Sequence, residues 1–366
     1  MVSLEAHVAL PLVGAAAGIV LGFVARLNRF CTLSALERYW YSSDATGLRT
    51  WVLAATVAML ATQALAALGL ADIRSSFYLR PYLGLSGSIL GGLMFGFGMA
   101  MVGTCAFGAV VRLGGGSLRS LVVLLVLGLA AVATQRGLLG QVRIALVDDW
   151  AIDVTAAGGQ SIPMLVSRLL GFDATIAVVA LLGGGLLAWI FADGAFRRRG
   201  ALIVTGTTIG LVIAFGWAAT TYFATISFEP VQIEAGSFSV PVGDVIVHVI
   251  TYTGTVPDYG VGLVVGSVIG AGLAAWYRHD AQWEACDDAR ELSRHLAGGA
   301  LMGVGGVFAM GCTIGQGVTG FSTLAISAPI AFASILMGAR LGLSWMVEGN
   351  AWAMFRGRQS GPGPAE

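Results

Sequence analysis

The chain has 366 residues, 57% of them hydrophobic and only 11% charged, with 20 basic and 20 acidic side chains that cancel at neutral pH. Soluble domains carry roughly 25% charged residues, so this composition, with a mean hydropathy of +0.83, is that of an integral membrane protein. Every basic residue is arginine, which excludes a P-loop with its required lysine and any sign of ATP-driven transport, and the zero net charge argues against a nucleic-acid partner.

The N-terminus has no basic residue before its first apolar run and places Arg26 and Arg29 after it. That order suits a retained first span and not a cleaved signal peptide. Crossing a bilayer takes about 20 mostly apolar residues, because a helix rises about 1.5 Å per residue through a core roughly 30 Å thick. Spans are therefore expected to begin near Val8, Trp51, Leu85, Leu118, Ala174, Ala201, Tyr259, Leu296 and Thr323. The segment from Val242 to Val256 is apolar but short and carries Asp244 and His248, so it reads as a half-crossing or surface helix. These two ionisable groups are the candidates for proton linkage, against a plain surface placement.

Cytoplasmic loops accumulate positive charge. The loop holding Arg26, Arg29, Arg38 and Arg49 is therefore expected inside, with Arg197, Arg198 and Arg199. Arg278, Arg290, Arg294, Arg356 and Arg358 fall on the same side, while the loop with Asp148, Asp149 and Asp153 and the one with Glu229 and Glu234 fall outside.

GGLMFGFGMAMVGTCAFG, from Gly91 to Gly108, matches GGALMGVGGVFAMGCTIG, from Gly298 to Gly315, at six of eighteen positions. Glycine abundance makes some of those matches cheap, but Cys105 over Cys312 is a rare coincidence in a chain with four cysteines. The second copy lies five spans after the first, and an odd number inverts it across the membrane. The expected fold class is thus an all-α integral membrane protein of about nine transmembrane helices plus short broken or re-entrant helices, with an inverted internal repeat. Residues 1–195 form the first half-repeat, 196–350 the second, and 351–366 a disordered cytoplasmic tail. The stretch from Gly18 through Cys31 has the same plan of helix, polar break, cysteine and short helix, and GLVIAFGWAATTYF from Gly210 is read as a degenerate fourth copy.

Irregular backbone at membrane depth is tolerated only inside protein or along a polar cavity, because unpaired N–H and C=O groups cost several kcal/mol each in hydrocarbon. Where a helix restarts after a break, its first N–H groups point into that cavity with partial positive charge, which suits an anion. A thiol in a narrow apolar place tends to stay protonated, a weak donor and a soft contact. It suits a polarizable sulfur-containing anion better than a strongly hydrated one. Cys31, Cys105 and Cys312 are therefore expected as successive soft stations along one path. Asn28, Arg29, Thr104, Thr313 and Gln316 would complete a polar lining, with Arg29 and Arg112 drawing anions in. Gly103, Gly108, Gly311 and Gly315 permit the bends.

The plainer alternatives are that each cysteine is a small packing residue, that the arginines face lipid headgroups, and that the polar residues cap broken helix ends. Cys286 reads as a loop residue. Its neighbours His279, Asp280, Asp287, Asp288 and His295 have no recognised metal-binding spacing, and no cofactor is expected. Asp148 and Asp149 read as a surface pair, not acid/base machinery.

NRFCTLSA, GTCAFGAVVRLGGGS and GCTIGQGVTGFSTLA together resemble the YeeE/YedE family of bacterial sulfur-transport membrane proteins over most of the chain. The resemblance implies an inner-membrane carrier or channel for thiosulfate, built of inverted repeats of broken helices. In it Cys31, Cys105 and Cys312 would contact the anion through S–H hydrogen bonds and pass it along. It also implies a cytoplasmic sulfur-carrier partner of the TusA type, none being fused here, and some relatives are assigned to selenium compounds. A transporter, not an enzyme, is the leading expectation. The alternative is a membrane thiol enzyme that relays sulfur covalently as persulfide.

Overall fold

The computed structural model describes residues 2–154, 159–227, 230–286 and 288–349. Glu229, Asp287, Arg356, Arg358 and the tail 351–366 lie outside the described residues. The helices are α1 (Val2–Leu27), α2 (Thr32–Ser42), α3 (Thr46–Ala67), α4 (Leu85–Val102), α5 (Ala106–Gly114), α6 (Leu118–Arg136), α7 (Leu139–Arg143) and α8 (Ile162–Leu170). They continue as α9 (Thr175–Phe191), α10 (Gly194–Arg197), α11 (Gly200–Ile226), α12 (Val240–Ile250), α13 (Tyr259–Arg278), α14 (Ala289–Phe308) and α15 (Ser327–Glu348).

Seven helical segments are long and apolar enough to cross a membrane. They include α1, α3, α4, α6, α11, α13 and α15, and the chain is a multi-pass membrane protein. The other two expected spans are present as helices of a different kind: α9 has 17 residues, and α14 opens on the charged turns ARELSRH. The short segment after Val240 is a helix of 11 residues, enough for about half the hydrocarbon core.

The elements fall into two series of the same order. In the first, α1, a break and α2 precede α3, and α4, a break and α5 precede α6. In the second, α11, an irregular segment and α12 precede α13, and α14, a break and a wide-turned helix (Gly315–Gly320) precede α15. Packing exchanges partners between the series: α1 lies on α13 as α3 lies on α11, and α4 lies on α15 as α14 lies on α6. The repeat-matched helices α4 and α14 also pack on each other, antiparallel. An ideal Cβ on Gly98 would stand 2.6 Å from the Gly298 carbonyl, and one on Gly305 would stand 2.6 Å from the Gly91 carbonyl. Only glycine allows backbones that close, which is why the six matched positions include four glycines in these two helices.

The stretch from Gly210 does not break. It is the middle of the continuous α11, where Thr205 and Thr221 return their hydroxyls to carbonyls four residues earlier at 2.8 and 2.7 Å. The break of this element comes later, in residues 230–239, where the chain has no regular structure before α12 begins at Val240 with Pro241 in its first turn. The described part of the connection 137–173 is not a plain loop. It contributes α7, α8 and a two-residue strand, Ile152–Asp153, paired antiparallel with Tyr82–Leu83.

Candidate functional site: three thiols between two cavities

Cys31, Cys105 and Cys312 each hold the last turn before a helix restarts. At the two repeat-matched positions the local geometry is the same: Cys105 Sγ accepts the Gly108 N–H and Cys312 Sγ accepts the Gly315 N–H, both at 3.3 Å. A thiol thus does the work that Ser or Asp does at most helix starts. Cys31 makes no such bond and faces the Thr104 hydroxyl at 3.9 Å. The chain reaches these restarts through left-handed residues. Gly103 has φ 76°, while Arg29 and Met310 adopt φ 50° and 55° despite their side chains.

Gly108 marks where two of the thiols meet. An ideal Cβ there would lie 3.5 Å from both Cys31 Sγ and Cys105 Sγ, and would collide with the Thr104 hydroxyl. The two sulfurs are therefore no more than twice that distance apart. Thr313 stands beside Cys105 with its hydroxyl buried. The Cys105 and Cys312 breaks are joined in this way across the interior.

A cavity of about 260 Å³ opens onto Cys31 and is lined by Arg26, Arg29, Ser34, Thr104, Gly108, Arg112 and Asp280. A second of about 260 Å³ shares Arg26, Arg112 and Asp280 and extends to Arg119 and Glu284. Ion pairs order this basic mouth: Arg26 with Asp280 at 3.1 Å, and Arg119 with Glu291 at 2.6 Å. A third cavity, of about 700 Å³, reaches Ser237, Met310 and Gly311, beside Cys312. Its walls carry Arg80, Arg136 and Arg143 against Glu234, Asp244 and Asp258. Burial pushes the Glu234 carboxyl well above the ordinary carboxylate range, with Asp258 adding to it. Asp244 is raised to about 6 by burial, although Arg136 pairs with it at 3.3 Å. Between the cavities Cys105 and Cys312 have no exposed surface. Beside them Phe107 and Phe238 pack ring to ring at 4.7 Å, both fully buried.

Most residues singled out from the sequence converge here, but not all. Asn28 is a strut: its amide donates to the Thr205 hydroxyl at 2.7 Å and ties the end of α1 to α11. Gln316 bridges its own break, donating from Nε2 to the Ala309 carbonyl at 2.5 Å, with Oε1 left unpartnered. His248 bonds Thr255 at 2.9 Å, Asp288 caps α14 and His295 meets the Glu291 carbonyl. Among the described residues no group of three or more His, Cys, Asp or Glu is placed to hold a metal ion. Cys286 is half-buried, and Asp148 and Asp149 are exposed.

Sequence reasoning missed Arg26 and Ser34 at the Cys31 cavity, and Tyr78, Ser237 and Phe238 around Cys312. The run GSFS before Pro241, polar between two apolar helices, was a usable signal for the last two. Nothing in the local sequence marked Tyr78, which arrives from a distant 3-10 turn.

A multi-pass helical membrane protein whose broken helices hold thiols between opposed cavities defines a class, and comparison with known proteins gives its family. The family described as sulphur transport matches residues 28–341, and the chain belongs to it. A thiosulfate transporter, TsuA, of Spirochaeta thermophila is 26% identical over 351 residues, covering 94% of this chain and 98% of that protein. The thiosulfate transporter TsuA of Escherichia coli is 24% identical over 345 residues, covering 91% and 94%.

Proposed function

We propose that this protein imports thiosulfate, or a closely related sulfur anion, across the bacterial inner membrane. The anion passes from the large cavity to Cys312, then Cys105, then Cys31, and leaves through the basic mouth at Arg26 and Arg112. The observation that carries this reading is the alignment of three thiols with two cavities that approach them from opposite ends. Each station offers a soft S–H and backbone N–H groups of a restarting helix, which match the polarizable terminal sulfur and the charge of thiosulfate. Sulfate, with no soft atom, gains less for the water it sheds. Names of relatives support the cargo.

The mouth bearing Arg26, Arg29, Arg112 and Arg119 faces the cytoplasm in this reading, following the arginine distribution. It is also where a TusA-like sulfur carrier would collect the cargo. The chain carries its substrate and does not transform it. Liposomes containing the purified protein should take up labelled thiosulfate, and unlabelled thiosulfate should compete better than sulfate, sulfite or selenite. Protein-free liposomes matching that uptake would remove the transport reading, and equal competition by sulfate would remove the role assigned to the thiols.

A further inference from the structure

The large cavity contains a buried carboxyl that the thiol path does not use. Glu234 keeps 8% of its surface exposed and sits on the irregular segment before α12. Its Oε1 accepts the Gly260 N–H at 3.2 Å, and its backbone is held by the Thr220 hydroxyl. No cation among the described residues contacts it: Arg136, on the same wall, is taken by Asp244. The groups that face it are Asp258, which caps α13, Tyr259 of α13, Asp244 of α12 and Tyr78.

The same segment leads directly to the first thiol. Ser237 is three residues from Glu234, at most about 10 Å of extended chain. Its hydroxyl and that of Tyr78 would lie 3.0 and 3.3 Å from an ideal Cβ on Gly315, the residue whose N–H donates to Cys312 Sγ. The Tyr78 hydroxyl is buried and has no partner, and the Ser327 hydroxyl, 3% exposed on the cavity wall, has none either. These orphaned donors point to an anion at this end of the cavity.

We propose that Glu234 is a proton-binding site coupled to the anion site beside Cys312, so that anion and proton are taken up together. The inference rests on the transport reading. An anion beside Tyr78 and Ser237 and an ionised Glu234 repel each other through a medium of low dielectric, so occupancy by one favours protonation of the other. Linkage makes the effect reciprocal: a protonated Glu234 raises affinity for the anion by the same factor. The proton comes from the solution that fills the cavity, and no bond other than O–H is made or broken. Asp258 adds like charge and pushes in the same direction, and Asp244 does so to a smaller extent although Arg136 pairs with it.

The test uses the full chain in nanodiscs, with thiosulfate as the probe. In weak buffer, thiosulfate binding should draw protons from solution, read by an indicator dye, and affinity should rise about tenfold per pH unit lowered where one proton is linked. Glu234→Gln, which keeps an oxygen for the Gly260 N–H, should bind with a flat pH profile and no proton uptake. Asp244→Asn should retain both effects. Wild-type binding that is indifferent to pH and draws no proton overturns the proposal, as does a Glu234→Gln variant that still draws one. Loss of the effect in Asp244→Asn assigns the proton to the wrong carboxyl. Thiosulfate that fails to bind the wild type at every pH overturns the transport reading and this proposal with it.

Discussion

Gly108 is the most demanding single position in the protein. Its missing Cβ leaves the space in which Cys31 and Cys105 face each other, so Gly108→Ala puts a methyl group between the two thiols and against Thr104. Its cost falls on transport first: thiosulfate uptake into liposomes should drop roughly tenfold or more, the equivalent of about 1.4 kcal/mol on the rate, with the protein still eluting as a folded species. Cys105 separates carriage from covalent chemistry. In Cys105→Ser a hydroxyl can still donate to the anion and accept the Gly108 N–H, so uptake should fall but persist. A persulfide relay predicts complete loss, because no alkoxide forms there to accept sulfur. Uptake through Cys105→Ser at a measurable fraction of wild type therefore supports hydrogen-bonded passage, and its abolition with folding intact supports the relay.

The helices that hold these residues are themselves held by glycine seams. An ideal Cβ on Gly266 would stand 2.7 Å from Ala15 C and Cα, and the equivalent contacts of α3 with α11 are of the same kind. Gly266→Ala should separate α1 from α13 at a cost of about 1–3 kcal/mol, seen as a lower midpoint of thermal unfolding in detergent. Glycine spacing, seven of the nine expected spans and the aligned cysteines were legible in the sequence, because close helix packing and helix breaks in lipid admit few residue types. The fourth break was not pinpointed. The stretch from Gly210 reads as a degenerate fourth copy; it lies inside the continuous α11, as Gly18 lies inside α1, and the interruption comes further along, around Gly236 and Ser237. Asp244 shows a second limit. Its place in an apolar segment was visible, but not its partner Arg136, which comes from another helix. Burial raises its carboxyl to about 6 from the ordinary 3.8. The folded state therefore binds this proton more tightly than the unfolded chain, and the stabilisation is complete below about pH 3.8 and lost as the pH rises through about 6. Asp244→Asn removes that contribution, so its thermal midpoint relative to wild type should climb as the pH is raised from about 4 to about 7.

On the scale of the whole molecule, two interleaved series of helices bring four interruptions to one interior. Three of these carry thiols and the fourth, 230–239, carries Glu234, Ser237 and Phe238. Moving a dianion into a cell whose interior is negative costs about 2.3 kcal/mol per charge at 100 mV, so inward flow needs metabolic consumption of the cargo or a coupled cation. Sequence pattern marks the three breaks that carry a cysteine, because each sets glycine or polar residues beside it. It does not reveal which breaks meet, because that depends on partner exchange between the two series. The claim on which the account turns is that the anion travels over the thiols. The most direct measurement is labelled thiosulfate uptake by liposomes containing the Cys105→Ala, Cys312→Ala double variant, compared with wild type at equal protein incorporation. With the anion travelling over the thiols, uptake should fall to the level of protein-free liposomes, and uptake equal to wild type would contradict that path.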